Sequence, residues 1–133
     1  MKTLIIFSWI ARITVAVILL QTLYFKFTGA PESIYIFETL GMEPWGRIGT
    51  GVMELLAAIL ILIPSTRTIG ALMVFGIISG AIFFHITILG IEIQGDGGLL
   101  FYLAVAVFIS SLYLVILNLS EIPFINKLSF VKT

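Results

Sequence analysis

Apolar residues in this chain fall in four long runs, over about residues 4–27, 46–63, 68–91 and 99–118, separated by short stretches of turn-forming and charged residues. A helix rising about 1.5 Å per residue needs about 20 mostly apolar residues to cross about 30 Å of hydrocarbon, and the runs meet or approach that length. Strands fit poorly, because the runs are continuous rather than alternating and about twice as long as a barrel strand requires. The pattern predicts an all-α, polytopic membrane protein forming a single four-helix domain over residues 1–133. Thr28-Gly29-Ala30-Pro31 punctuates the first break, Pro64-Ser65-Thr66-Arg67 the second and Gly95-Asp96-Gly97-Gly98 the third. Short connections favour antiparallel neighbours, which makes the expected architecture an up-down four-transmembrane-helix bundle. The first run is expected to be a retained helix rather than a secretory signal. It is longer than a signal's apolar region, carries Arg12 and is followed by no Ala-x-Ala cleavage site.

One connection is longer than the others. Within residues 28–45, Ile34, Phe37 and Leu40 recur at helical spacing while Glu32, Ser33 and Thr39 turn elsewhere. That spacing predicts a short amphipathic helix in the membrane interface, with Pro31 suited to its start and Gly41 to its end. Residues 119–133 carry Ile122, Phe124, Ile125, Leu128 and Phe130, too short a stretch for another crossing, and are expected to lie on the inner surface. Basic residues set the orientation: Lys2, Arg67, Lys127 and Lys132 collect on one side. Lys26 and Arg47 lie on the other, beside Glu32, Glu38, Glu43, Glu92 and Asp96. Positive charge favours the cytoplasmic side, so both termini are expected there.

Composition sharpens the picture. Of the 133 residues 60% are hydrophobic and 11% charged, with a mean hydropathy of +1.21, against roughly 45–50% apolar and about 25% charged in soluble domains. Seven basic residues balance seven acidic ones, which leaves no basic field for a nucleic acid. The absence of cysteine rules out disulfide exchange and thiolate nucleophiles in this chain, along with cysteine-ligated metals. A single histidine cannot build a multi-histidine metal site, and the lone carboxylate of the Gly-Asp-Gly-Gly turn makes a poor calcium site. No metal is expected.

Four ionisable residues lie within or at the edges of the apolar runs: Arg12, Lys26, Glu54 and His85. Each costs at least about 2.5–3.5 kcal/mol to bury in hydrocarbon, so each demands a reason. Helix rise puts Lys26 about 21 Å beyond Arg12, at the outer boundary, with Glu54 and His85 about 10 Å inside it. Arg12, near mid-membrane, has the reach to extend towards them. Glu54 shares a face with Arg47, Thr50, Gly51, Ala57 and Ala58, a small-residue stripe suited to the bundle interior. Gly76-x-x-x-Gly80 suits either packing within the bundle or a dimer seam. Two readings of the four residues stand at this point. They are structural, as a register-fixing ion pair, a snorkelling lysine and a hydrogen-bonded core histidine, or they line a site for a ligand with a polar head.

In the order and spacing of these elements the chain resembles the DoxX-like family of small four-helix membrane proteins, over about residues 12–117. The elements are Arg12, Phe25-Lys26-Phe27-Thr28-Gly29, Leu40-Gly41-Met42-Glu43-Pro44 and Gly51-Val52-Met53-Glu54-Leu55. Ile63-Pro64 with Arg67, then His85, and Gly95-Asp96-Gly97-Gly98-Leu99-Leu100 complete the series. The resemblance implies a bacterial or archaeal cytoplasmic membrane and an association with quinone-linked oxidoreductases. It carries over Arg12, Lys26, Glu54 and His85 as ligand-site candidates, without a catalytic residue. The expected role is a quinone-linked or redox-associated accessory subunit that binds a quinone non-covalently, sits in the lipid bilayer and draws electrons from a redox partner protein. A homo-oligomer is compatible with it, and catalysis by the isolated chain is not expected. A structural scaffold for partner proteins and a permease for a small solute or protons are the alternatives.

Overall fold

The computed structural model describes residues 2–119, and the expected interfacial tail falls, beyond Leu119, outside the described residues. Helix α1 spans Lys2–Thr28 and stops where Gly29 takes a φ of +68°, a left-handed conformation that a residue with a Cβ adopts only with strain. Pro31 then opens α2 (Pro31–Thr39), in a first-turn position where its missing N–H removes no hydrogen bond. The expected short helix is present, begun by the proline itself. It buries Phe37 as expected, but its buried face is corrected to include Ser33, one turn before Phe37, while Ile34 and Leu40 are only half-buried. Helix α3 covers Trp45–Leu62 and ends at Ile63, which is extended as the residue ahead of Pro64. A 3-10 turn over Pro64–Thr66 leads into α4, Arg67–Phe84, which widens into a π turn over His85–Leu89. Helix α5 runs Leu99–Leu117.

Among the described residues, four helical segments are long and apolar enough to cross a membrane: α1, α3, α4 with its flanking turns, and α5. They close into a ring in which α1 packs on α3 and α5, and α4 packs on the same two helices. The core at the centre holds Val15, Leu19, Ala57, Ile61, Val74 and Val107. Apolar side chains such as Ile13, Val17, Ile69, Ile109 and Ile116 stay exposed on the outside, as a lipid-facing surface requires. Both ends of the described chain lie opposite α2, because the chain crosses an even number of times. The third span ends at Leu89, two residues before the expected 91, where Gly90, at φ +82°, follows the π turn.

Glycine sets two close approaches between spanning helices, besides Gly46 against Met42 in the turn before α3. A Cβ at Gly51 would stand 2.7 Å from the Phe27 ring, and one at Gly70 would stand 2.4 Å from the Ile61 backbone nitrogen. The α3–α4 contact at Gly70, against backbone, therefore excludes any larger residue, whereas at Gly51 a larger residue requires the Phe27 ring to swing aside. Gly76 and Gly80 behave differently from the packing role the sequence suggested. A Cβ at either would meet nothing within 4 Å, so they pack no helix of this bundle. They border a cavity instead.

Candidate functional site

Arg12 is the largest fully buried side chain, at 1% exposure. Its Nε donates to the Ile61 carbonyl at 2.6 Å and a terminal nitrogen donates to the Leu62 carbonyl at 2.8 Å, while the Trp9 ring lies 3.7 Å beneath the guanidinium. The Thr66 hydroxyl takes the Leu60 carbonyl at 2.8 Å, and the Thr66 backbone N–H takes that of Ile63. Pro64 stops α3 inside the apolar region and orphans its last carbonyls, whose partial negative charge a guanidinium offsets. The structure therefore places Arg12 at the end of the bundle remote from α2, away from Lys26, Glu54 and His85. The expected reach towards those residues is corrected: the nearest unmet acceptors lie at the end of α3, and two of them fit one planar donor fork.

Arg47 performs the reciprocal task at the other end. It donates to the Lys26 carbonyl at the end of α1, and its Nε lies 2.9 Å from Glu43 Oε1. The antiparallel pair α1 and α3 is thus clasped twice, each helix lending an arginine to the other's C-terminus. The second clasp also fixes the backbone that carries Lys26.

A cavity of about 830 Å³ lies inside the α2 end of the bundle, a size that holds a drug-sized ligand. Lys26, Glu54 and His85 all line it, as does Asp96. Lys26 Nζ stands 3.1 Å from Glu54 Oε2, and Glu54 is 6% exposed. Such a pair compensates two charges that would each be costly alone. His85, 5% exposed, is pinned by its Nδ1, 2.8 Å from the Gly90 carbonyl oxygen, and packs edge-on against Phe101 with ring centres 5.6 Å apart. Most of the remaining wall is apolar, including Ile18, Phe37, Ile77, Phe84, Leu103 and Val107.

Asp96 organises the turn above His85. Its Oδ1 accepts from the backbone N–H groups of Ile93 and Gly98 at 2.9 and 2.8 Å, and its Oδ2 accepts from Leu100 at 3.2 Å. Burial pushes the Asp96 carboxyl up, but those three N–H groups, helped by His85, hold it below the usual carboxylate range. The Gly-Asp-Gly-Gly segment is therefore a cap on the start of α5. Among the described residues, no cluster of three or more His, Asp or Glu side chains could hold a metal ion.

The cavity also reaches the side of the bundle. Helices α3 and α4 meet tightly at Gly70, whereas towards α2 the exposed residues Gly49, Met53 and Gly76 line the cavity from both sides. The small Gly76-x-x-x-Gly80 face leaves this cleft open. At about 100° per residue that face lies roughly opposite His85 on the helix. The cavity wraps far enough around α4 to touch both. Arg47 and Asp96 were absent from the sequence-derived candidates, although their positions beside the Pro and Gly residues that open α3 and α5 were the available signal.

Four lipid-facing helices around an internal cavity define a small multi-pass membrane protein. The DoxX-like family model matches residues 10–112, and the chain belongs to that family. No curated protein matches the chain, and neither does any solved structure.

Proposed function

We propose that the cavity holds a lipid-soluble molecule with a polar head, an isoprenoid quinone being the class that fits best. The protein would then serve as a quinone-linked accessory subunit of an oxidoreductase complex. The observation that carries this reading is a mostly apolar cavity with a charged pair, Glu54 buried and Lys26 part-buried, at the α2 end and a cleft between α3 and α4 towards the lipid side. A tail can leave through the cleft while the head meets Lys26, Glu54 and His85. The Lys26 ammonium supplies a donor to a ring oxygen, and Glu54 and His85 supply groups able to hold a proton. Electrons come from a partner protein, since the chain carries no haem, flavin or iron–sulfur motif. Arg67 at one end, and Lys26 and Arg47 among five acidic residues at the other, support a cytoplasmic-membrane orientation with both termini inside and α2 outside.

Purification from the native membrane in mild detergent, followed by organic extraction and mass spectrometry, tests the proposal. Near-stoichiometric isoprenoid quinone is expected from the wild type, and much less from Gly80→Leu, whose side chain fills the cavity. Equal traces from both proteins would overturn it and favour the scaffold.

A further inference from the structure

Resting on the quinone-site reading, one residue narrows the chemical form of the head. We infer that His85 presents a hydrogen-bond acceptor to the cavity and selects a ligand whose head carries a hydroxyl, in a quinone pool the reduced hydroquinone.

The Gly90 carbonyl oxygen, 2.8 Å from Nδ1, can only accept, so Nδ1 carries the hydrogen. In the neutral imidazole the lone pair then resides on Nε2, on the far side of the ring. The arrangement is locked from two directions. The Gly90 N–H donates to the His85 carbonyl at 2.8 Å, closing the π turn, so residues 85 and 90 share a backbone and a side-chain hydrogen bond. Phe101, at 65° to the imidazole, braces the ring.

Nε2 has no hydrogen-bond partner among the described residues, although His85 is 95% buried and lines the cavity. Of the charged groups on the cavity wall, Lys26 is ion-paired to Glu54 and the Asp96 carboxylate is taken by three backbone N–H groups. The hydroxyls of Ser33 and Thr50 on the same wall can donate or accept and so favour neither form of a head. An acceptor without a partner on a mostly apolar cavity wall is costly to leave unmet, and a ligand hydroxyl satisfies it. A quinone carbonyl would instead set one lone pair against another. The oxidised head keeps the donors on the wall but gains nothing at His85, whereas the reduced head gains a partner there.

Anaerobic titration of nanodisc-embedded protein, in mildly alkaline buffer, with a decyl-substituted benzoquinone, its hydroquinone and the hydroquinone dimethyl ether tests this. The hydroquinone is expected to bind about tenfold more tightly than the quinone or the ether, the worth of about one net hydrogen bond. His85→Phe should abolish that preference while retaining quinone binding, and His85→Gln, whose amide oxygen can accept, should keep part of it. Equal affinities in the wild type, or a preference that survives His85→Phe, would overturn the inference and leave the cavity reading standing. Binding of none of the three probes would overturn both. If His85→Phe does not fold, the wild-type ratio alone decides.

Discussion

Replacing Arg12 by Met removes the clasp on α3 while keeping most of the side-chain volume. Two carbonyls, those of Ile61 and Leu62, would lose their donors in an apolar setting. Each orphaned buried acceptor costs about 1–3 kcal/mol, and loss of the contact with the Trp9 ring adds about 0.5–1 kcal/mol. Relief of guanidinium desolvation works in the opposite direction, and hydrogen bonds measured inside membrane bundles average only about 0.6 kcal/mol because the unfolded reference also finds partners. The balance is a destabilisation of about 2–4 kcal/mol, built from these ranges. Arg12→Lys should recover less than half, since an ammonium is a point donor and not a fork. Reversible unfolding in mixed micelles measures the loss, and hydrogen exchange over residues 60–67 shows whether it is local. Ligand affinity per folded molecule should not change, because Arg12 lies outside the cavity. Unchanged stability and exchange in Arg12→Met would refute the capping role, and selective loss of ligand affinity would restore Arg12 to the site.

Three further outcomes follow from the geometry. Glu54→Ala should destabilise the fold, by at most about 3–5 kcal/mol, because the part-buried Lys26 loses its counter-charge; Glu54→Gln should cost less, and equal unfolding midpoints for wild type and Glu54→Ala would contradict the pairing. Gly80→Leu should leave stability unchanged or raise it slightly, since nothing opposes the side chain and glycine is a poor helix former by about 1 kcal/mol; a large drop in thermal midpoint would show that this face is packed. Asp96 stabilises the folded state above its unfolded pKa, and that contribution fades as pH falls through its depressed folded value. Asp96→Asn retains one acceptor oxygen but turns an amide towards the Leu100 N–H, so it should cost about 0.5–2 kcal/mol and flatten the acid limb of the stability curve; an unaltered limb would contradict this.

The spans were legible because hydrocarbon thickness imposes run length directly, and Gly29, Pro31 and Pro64 mark where runs must stop. Lys26 and Glu54 were legible as neighbours because rise per residue converts sequence number into depth on two antiparallel helices. Arg12 was misjudged on the same arithmetic. Its depth was available, but its partners are backbone carbonyls freed by Pro64, and a pattern of side chains does not display carbonyls. The glycine pair on α4 was ambiguous for a related reason. Small residues permit close packing and open space equally, and only the splay of α3 from α4 beyond Gly70 decides between them. The π turn at His85, which depends on how the chain returns at Gly90, had no signature in the apolar periodicity.

The two tryptophans are Trp9 and Trp45, and Trp45 lines the cavity. Trp9→Phe therefore leaves a single fluorophore on the cavity wall while preserving a ring beneath Arg12. Titrating this variant in nanodiscs with a tailed benzoquinone tests occupancy of the cavity most directly. Saturable quenching of Trp45, abolished by adding Gly80→Leu, is the expected result. Quenching that rises linearly without saturation, and identically in both proteins, would mean collisional contact from the bilayer and would contradict a ligand-binding cavity.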